Sequence, residues 1–397
     1  MRFLSWVLLP LIASTTTAIP LNVGTTSFTD SAIDSGLALK GLNALALANA
    51  FTKFNLKNGC NPAKVKIRQE WRSISKPQRR KFIQAVKCIS AKPSILPPGQ
   101  VPASIHLYDD LVWAHALRTG AIHKSGYFLV FHRYYIQMFE DALEDCGYNS
   151  GLPYWEWGLD VDGPHLSPLF DGSDTSLGSD GEYIPDREPF TFIPLGHNES
   201  LTIAPGTGGG CVHTGPFNKN EFTVHLGPYI DQDNNALPTP DPTLPDNPRC
   251  LDRDLNSESI RRWTNFRNST HYILSYDNVF DFQGNLDGDI RATQKPLQLH
   301  GGAHGAIGGI ARDVRISPNE PAFWLTHANL DRVWWIWQHL DFENRQTVAF
   351  TRTWMDLPPS GNATVDDYIE IEPHAPARKV KDLMNTVGGS PLCYVYV

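Results

Sequence analysis

Apolar residues recur at helical spacing in several separate stretches of the chain. Residues 34–54 carry this pattern. Residues 75–93 add a Ser75 start, an early proline and a closing Pro93, which together are typical of a capped helix. Two further helices are predicted at 107–119 and 131–145, joined by the short segment GAIHKSG.

The pattern changes between residues 158 and 256, where Gly, Pro, Asp and Ser are frequent and periodicity is weak. This composition predicts long surface loops with short strands. Regularity returns at 255–276, 297–309 and 321–340, and the last stretch is apolar on almost every face. The segments TVAFTRTW and YIEIEP alternate and predict strands. With no internal repeat or linker, we expect one helical domain with loop insertions.

The N-terminal segment predicts secretion. Arg2 precedes an apolar run of about ten residues, and small residues end at Ala18, so residues 1–18 have the layout of a cleaved signal peptide, too short to span a bilayer. A buried N-terminal element is the alternative. Six cysteines form an even number, which predicts three disulfides in an oxidising compartment. We therefore expect an extracellular protein.

Possible glycosylation sites also indicate an extracellular protein, and the charge pattern excludes some classes of binding partner. Sequons begin at Asn198, Asn268 and Asn362 and predict glycosylation. With 34 basic and 42 acidic residues the formal charge is -8, and no Lys/Arg-rich block is present. A nucleic-acid or membrane partner is therefore not expected.

Six of the 14 histidines lie in the most apolar parts of the chain, in two groups of three. The groups are His115, His123 and His132, and His300, His304 and His327. Buried imidazoles without partners are costly, because each ring has a donor and an acceptor to satisfy. Two metal ions, each bound by three neutral imidazoles, would satisfy all six rings. Two facing all-histidine sites favour a copper pair, since zinc hydrolases usually include a carboxylate.

The second group also has a plainer interpretation. Gly301, Gly302 and Gly305 each cost a helix roughly 1 kcal/mol relative to alanine, so HGGAH is either a glycine-rich loop or a helix that a neighbour approaches closely. A lone His327 on an apolar helix is typical of a hydrogen-bonded core residue. Asp331, one turn later, is placed to accept the ring N–H of His327 and fix its tautomer.

The two groups stand in segments that resemble the copper-binding signatures of the tyrosinase family of binuclear (type-3) copper proteins. The likeness is to its short secreted fungal tyrosinases and catechol oxidases. The first segment is YDDLVWAHALRTGAIHKSGYFLVFHRYY, and the second comprises HGGAH and EPAFWLTHANLDRVWW. Similar stretches are CNPAKVKIRQEWRSIS, DCGYNSGLPYWEW, CVHTGPF, NPRCLDRDL and the terminal Tyr394-Val-Tyr396, so the resemblance covers nearly the whole mature chain.

The resemblance implies a mainly α fold, a four-helix bundle around a binuclear copper site with long loops and small peripheral β-strands. His115 and His132 would lie on two antiparallel helices, and His123 would reach in from their connection. His300, His304 and His327 would bind the second ion. Family members use O2 to oxidise small phenols: o-diphenols become o-quinones, and some members first hydroxylate monophenols.

Several positions depart from the family pattern. Glu320 and Thr326 stand where Asp and His are common, without disturbing the ligand His327. Ala121 stands where many fungal members have a cysteine that is cross-linked to the second histidine. We therefore expect no thioether at His123.

Gly301 is the departure that bears on activity. In strong monophenolases the residue after the first ligand of the second copper is often Asn, which together with an upstream Glu orders a water that deprotonates the phenol. Glycine has no side chain for this task, and the nearest upstream acids are Asp287 and Asp289. We expect oxidation of o-diphenols or o-aminophenols, with weak or substrate-limited monophenol hydroxylation; a full tyrosinase is the alternative.

Further details follow from the resemblance. Gly305–Pro318 is expected to gate the second copper, and its glycines suggest an open entrance. Arg68 or Arg72 is expected to anchor the terminal tyrosines. The cysteine positions, rather than the resemblance, suggest a Cys211–Cys250 disulfide within the loop region, and the other four cysteines are left unassigned. In many relatives a C-terminal plug domain follows the Tyr-x-Tyr. Nothing follows it here, so residues 19–397 are predicted to form a single catalytic domain without a lid.

Three other classes of protein fit part of the pattern. A hemocyanin-like O2 carrier uses the same six histidines, but such carriers have multi-domain length. A zinc hydrolase would build on His300 and His304, but Gly301 replaces the Glu of the HExxH motif. A glycosylated binding protein with structural histidines leaves the six-histidine match unexplained.

Overall fold

The computed structural model describes residues 28–192, 198–228 and 245–397, so the predicted signal peptide at 1–18 lies outside the described residues. The helices are α1 (Asp30–Asp34), α2 (Leu37–Ala50), α3 (Lys76–Ile89), α4 (Leu107–Ile122), α5 (Phe128–Asp145), α6 (Ser257–Ser259), α7 (Phe266–Ser275), α8 (Val279–Asp287), α9 (Gln298–Ile307) and α10 (Pro321–Leu340). The strands are β1 (Lys66–Arg68), β2 (Gly181–Tyr183), β3 (Phe190–Phe192), β4 (Leu201–Ile203), β5 (Gly209–Val212), β6 (Tyr368–Ile369), β7 (Arg378–Lys379) and β8 (Tyr394–Tyr396).

Helix α10 is the centre of the fold. Every residue from Pro321 to His339 is buried, and the helix packs against α2, α5 and α9, while α4 packs on α5. The Glu320 side chain accepts from the backbone N–H of Ala322, and Pro321 occupies the first turn, both of which favour a helix start. The predicted mainly α bundle is confirmed, with α4, α5, α9 and α10 at its centre.

The predicted helix at 34–54 is interrupted. Gly36 has a φ of 78°, a left-handed conformation that separates α1 from α2. The ring of Phe266 would lie 2.8 Å from a Cβ at this position, so only glycine lets α7 approach the turn. The other early predictions hold: α3 starts with a Ser75–Gln78 capping box, and α4 and α5 extend beyond their predicted bounds.

The strands pair in two-stranded sheets. β1 runs parallel to β8 and so joins the early chain to the C-terminal segment. The predicted strand at 347–354 is wrong: this segment contributes an isolated bridge between Thr351 and Asn362. Phe350 and Met355 have φ values of 71° and 49°, which turn the chain out of an extended path. YIEIEP forms only the short β6.

All six cysteines pair, which confirms the prediction of three disulfides. The bonds are Cys60–Cys393, Cys88–Cys146 and Cys211–Cys250, and the last is the predicted pair. No thiol is left to cross-link His123. Among the described residues, no helix is both long and apolar enough to cross a membrane.

A buried group of charged and phenolic side chains, here called the terminal anchor, holds β8 to the bundle. Asp331 on α10 accepts from the hydroxyls of Tyr394 and Tyr396 at 2.6 and 2.7 Å and from Nε of Arg133 at 2.6 Å. Arg68 donates to the Tyr396 hydroxyl at 3.0 Å and stacks 3.4 Å from the centre of the Tyr394 ring. Of the two arginines considered for this contact, Arg68 is therefore the right one.

Candidate metal centre

The first histidine triad is built from α4 and α5. His115 projects from α4, His132 projects from α5, and His123 follows Ile122, the last residue of α4. All three rings are buried, and their ligand nitrogens lie within 4.8 Å of one another. Nε2 of His115 and Nε2 of His132 are 3.3 Å apart.

Main-chain carbonyls orient each ring of this triad. The Nδ1 atoms of His115, His123 and His132 lie 2.9, 3.2 and 2.7 Å from the carbonyl oxygens of Arg315, Thr119 and Phe128, respectively. A carbonyl only accepts, so each Nδ1 carries the proton. Each Nε2 therefore presents its lone pair to the centre of the triad.

The second triad is built from α9 and α10. His300 and His304 lie one turn apart on α9, and Nε2 of His304 is 3.1 Å from Nε2 of His300 and 3.2 Å from Nε2 of His327 on α10. Nδ1 of His304 donates to the carbonyl of Ala311 at 2.8 Å. Nδ1 of His327 has no hydrogen-bond partner among the described residues. The predicted bond from this ring to Asp331 is wrong, because that carboxylate is occupied by the terminal anchor.

Glycines in α9 serve close packing. A Cβ on Gly302 would lie 2.2 Å from Cβ of Trp263, and one on Gly305 would lie 3.1 Å from Oγ of Ser259. The segment is a helix, so HGGAH is not a loop with incidental histidines. The cost of the glycines is offset because the neighbouring turn sits directly on the helix surface.

The two triads face each other. Ring centroids are 4.5 Å apart for His132 and His327 and 5.7 Å apart for His123 and His300, and both pairs are stacked. His304 is partly exposed, as is Gly301, so the α9 side of the pair is nearest to solvent.

Five of the six rings are neutral at physiological pH. Burial lowers the pKa of His115 to about 4 and, with repulsion from neighbouring imidazoles, holds the pKa of four other rings well below the usual value. These four are His123, His132, His304 and His327. Neutral Nε2 donors and the absence of a carboxylate from either triad fit two copper ions.

Comparison with known proteins agrees with this geometry. The family model "Common central domain of tyrosinase" matches residues 105–340. Tyrosinase P of Aspergillus terreus is 37% identical over 338 residues, covering 83% of this chain and 91% of the relative. The chain belongs to the tyrosinase family. It is thus a type-3 copper oxidase with a binuclear copper centre, of a family that acts on small phenols.

Two other members show how far the likeness extends. An N-acetyl-6-hydroxytryptophan oxidase of Emericella nidulans is 34% identical, covering 90% of this chain and 99% of the relative. The structure of a glycine-to-asparagine mutant of a polyphenol oxidase from Thermothelomyces thermophila superposes with a TM-score of 0.82 at 34% identity. It covers 91% of this chain and 98% of that one.

In this tyrosinase-family centre, Asp287 connects the two triads. Its Oδ1 accepts from Nδ1 of His300 at 2.8 Å, and its Oδ2 accepts from the backbone N–H of Lys124, the residue after His123, at 2.9 Å. Burial would raise the pKa of Asp287, but the Lys124 charge and the His300 hydrogen bond outweigh it, so the pKa lies below its ordinary value. The sequence identified this residue only as a nearby acid.

Asp289 has a different role. Both of its carboxylate oxygens accept from Arg291, at 3.0 Å from Nε and 2.6 Å from Nη2. Asp289 is buried and belongs to this ion pair. Both upstream acids are therefore engaged by protein groups, Asp287 by His300 and Lys124 and Asp289 by Arg291.

The segment Gly305–Pro318 supports the triads, and its glycines are packed against neighbouring groups rather than left open. Its expected role as a gate over the second copper stays a prediction. A Cβ on Gly308 would lie 2.3 Å from the carbonyl oxygen of Asp254, so glycine is needed there for close packing. Carbonyls of this segment hold His115 and His304.

The exposed side of α9 is bordered by apolar side chains instead. Trp263, Leu201 and Ile203 form a small buried cluster separate from the main core, with Phe190 and Leu297 packed against it. We call these five residues the apolar wall. Leu297 lies beside Gly301, where a Cβ would meet its Cδ2 at 2.8 Å. No sequence pattern marked the wall, because its members come from separate short elements that are far apart in the chain.

Proposed function

We propose that the first triad binds one copper ion and the second triad binds the other. The bound pair supplies the site for O2 and the electron transfer. The protein keeps five imidazoles neutral by burial and holds five Nδ1–H groups on oxygen acceptors. The test is copper content after dialysis against a chelator, with two ions expected per wild-type chain. H132Q and H327Q should each lose copper, whereas the control H165Q, which changes an exposed histidine, should retain both; retention in either triad variant would contradict the assignment.

We further propose that the enzyme oxidises o-diphenols, and o-aminophenols, with little hydroxylation of monophenols. In the diphenol reaction, two diphenols lose two electrons and two protons each, and one O2 is reduced to two waters. An o-diphenol binds at the centre with no ring hydroxylation step. A monophenol must first lose its proton to a base at the entrance.

The observation that carries this proposal is the surroundings of Gly301. Its own side chain is absent, the space beside it holds Leu297, and both nearby carboxylates are committed, Asp287 to His300 and Asp289 to Arg291. Gly301 supplies no amide and both carboxylates are engaged by protein groups, so these three residues do not form the usual pair that orders a water for phenol deprotonation. The name of the Aspergillus terreus relative favours the alternative of a full tyrosinase.

Oxygen consumption by copper-loaded protein tests the proposal with 4-tert-butylcatechol, 2-aminophenol and tyrosine in parallel. We expect fast uptake with the first two substrates and little with tyrosine. Comparable uptake with tyrosine would establish the tyrosinase alternative. No uptake with any substrate, at two coppers per chain, would favour an O2 carrier.

Replacing Gly301 sharpens the test. G301N adds an amide next to His300 and should raise the ratio of monophenol to diphenol turnover. The matched control G301A adds only a Cβ and displaces Leu297 to a similar extent, so it should leave the ratio unchanged. An equal rise in both variants would assign the effect to the displaced leucine.

We also propose that the protein is secreted and glycosylated. Three disulfides are stable in an oxidising compartment. Asn198 and Asn362 are exposed. Asn268 lies on α7, half-buried, and donates to the carbonyl of Arg262 at 3.0 Å. Mass spectrometry of secreted protein, before and after enzymatic deglycosylation, should show higher glycan occupancy at Asn198 and Asn362 than at Asn268.

A further inference from the structure

A third cluster of metal-binding side chains lies apart from the copper pair. His106 precedes the first residue of α4, Asp109 lies in its first turn, and His225 follows Val224, which forms a bridge with Arg249. One ligand atom from each of the three cluster residues falls within 4.8 Å of the others. The two histidines are more than 100 positions apart, so no sequence motif could reveal the cluster.

The spacing of this cluster resembles that of the copper triads. The centroids of the His106 and His225 rings are 5.4 Å apart, against 5.3 Å for His304 and His327. Nδ1 of His106 lies 3.3 Å from Oδ2 of Asp109. Two ligands at about 2.0–2.2 Å from a tetrahedral ion are themselves roughly 3.3–3.5 Å apart, so the imidazole and the carboxylate are already close enough to share one ion. The coordinating oxygen would be Oδ1, because Oδ2 accepts from two backbone N–H groups.

Neighbouring groups orient the side chains of His225 and Asp109. Nδ1 of His225 lies 2.7 Å from Oδ1 of Asp246, a carboxylate–imidazole contact that directs the Nε2 lone pair away from Asp246. Oδ2 of Asp109 accepts from the backbone N–H groups of Ile105 and His106, and its Oδ1 has no hydrogen-bond partner among the described residues. Burial raises the pKa of Asp109, although the His225 charge opposes the shift. A bound cation would remove this penalty.

The cluster is also accessible. It lines a cavity of about 460 Å³ whose other walls include Tyr108 and Phe222, and Glu221 stands at the same cavity in a 2.8 Å ion pair with Lys87. His106 keeps about a third of its side chain exposed. An ion can therefore enter from solvent, and water can complete its coordination.

We propose that His106, Asp109 and His225 form a mononuclear site for a divalent late transition-metal ion, which joins the start of α4 to the described segment around residues 221–228. Two imidazoles and one carboxylate with open positions suit Zn²⁺ and Cu²⁺. The ion would fix the beginning of the helix that carries His115. This inference does not depend on the substrate assigned above.

Zinc titration of the copper-loaded protein, followed by calorimetry and by metal analysis after gel filtration, tests the site. Wild type should take up one Zn²⁺ per chain beyond its two coppers, with a rise in thermal midpoint. H225Q and H106Q should take up none while keeping both coppers, which also shows that they are folded. D246N should bind about 10–100-fold more weakly, as expected for loss of a partner that orients a ligand.

A copper arm distinguishes the two ions. An isolated Cu²⁺ carries one unpaired electron, so a further equivalent of Cu²⁺ should add one electron-paramagnetic spin per wild-type chain and none in H225Q. Uptake of Zn²⁺ alone or of Cu²⁺ alone would identify the ion. H165Q serves as control and should behave as wild type. Absence of both ions from wild type, or unchanged uptake in both H225Q and H106Q, would overturn the proposal.

Discussion

The two histidine triads have the same ligands but different support. In the first triad, all three Nδ1 atoms are held by main-chain carbonyls. In the second, one ring meets the carboxylate of Asp287, one meets the carbonyl of Ala311, and His327 has no Nδ1 partner among the described residues. The first triad is thus supported by the backbone, which substitution cannot easily alter. The second depends on a side chain that can be changed.

Exposure differs in the same direction. All three rings of the first triad are buried, whereas His304 of the second is partly exposed beside Gly301. A site that must admit a phenol needs one accessible side, and the second triad provides it. We infer from this difference that substrate choice depends mainly on the surface of α9, whereas the buried triad of α4 and α5 serves copper retention alone.

The largest expected effect is acid sensitivity of the copper-free protein. The unfolded chain protonates its histidines near pH 6.5, whereas the folded chain keeps His115 neutral down to about pH 4. Between these values the unfolded state binds more protons, so the free energy of unfolding falls as the pH falls through this window. His115 alone contributes about 3 kcal/mol, and four further rings act in the same direction.

Denaturant unfolding of copper-free protein from pH 7 to pH 4 measures this loss. The copper-loaded protein is the control, since bound metal keeps the imidazoles deprotonated and should flatten the profile until copper dissociates. Equal pH dependence of the two forms would contradict neutral imidazoles at these five ligand positions.

The next effect concerns the support that both triads share. Arg133 follows His132 on α5, and Asp331 lies one turn after His327 on α10. The 2.6 Å ion pair between Arg133 and Asp331 therefore joins α5 to α10 behind the centre. D331N leaves Arg133 buried without its counter-charge, and we expect a loss of about 3–5 kcal/mol in the free energy of unfolding.

The matched control for D331N is D34N, which breaks the exposed ion pair of Asp34 with Arg267. Exposed pairs contribute little because water and salt screen them, so D34N should lose far less stability. Chemical unfolding of both variants in the copper-loaded form measures the two losses. Similar losses would show that the buried terminal anchor contributes no more stability than the exposed ion pair.

A smaller effect tests the asymmetry between the triads directly. D287N removes the carboxylate from Nδ1 of His300 and keeps the shape of the side chain, so copper at the second triad should be held about 10–100-fold more weakly. Chelator competition should show one copper released early and one retained. D289N alters an equally buried acid that contacts Arg291, and it should leave copper retention unchanged.

Much of the centre was predictable from the sequence because its ligands lie in local patterns. His300 and His304 are separated by one helical turn, and the apolar helices around His132 and His327 were recognisable from their periodicity. The resemblance to the tyrosinase family then joined the two groups. The pairing of Cys211 with Cys250 followed from the positions of these two cysteines in the loop region.

The contacts that were missed all join distant parts of the chain. The Asp287–His300 bond depends on how α8 meets α9, and the apolar wall depends on where the β3–β4 hairpin lies. Glycines 305 and 308 were taken as signs of openness, but their reason is an approaching backbone or side chain, which no local pattern records. Asp331 stood at helical spacing from His327, yet its partners came from α5 and from the C-terminal strand.

The smallest expected effect is on substrate fit at the apolar wall. Leu297 is the member of the apolar wall that lies beside Gly301. L297A therefore removes apolar surface from the exposed side of the second triad without changing a ligand. We expect KM for 4-tert-butylcatechol to rise by up to about tenfold with kcat nearly unchanged, since a few methylene groups contribute about 1–3 kcal/mol to binding. Unsubstituted catechol should respond less because it lacks the bulky group.

The control L159A removes a leucine that is half exposed and should change neither constant. A fall in kcat with constant KM in L297A would mean that the leucine orders the centre itself, which would remove the separation between copper retention and substrate choice.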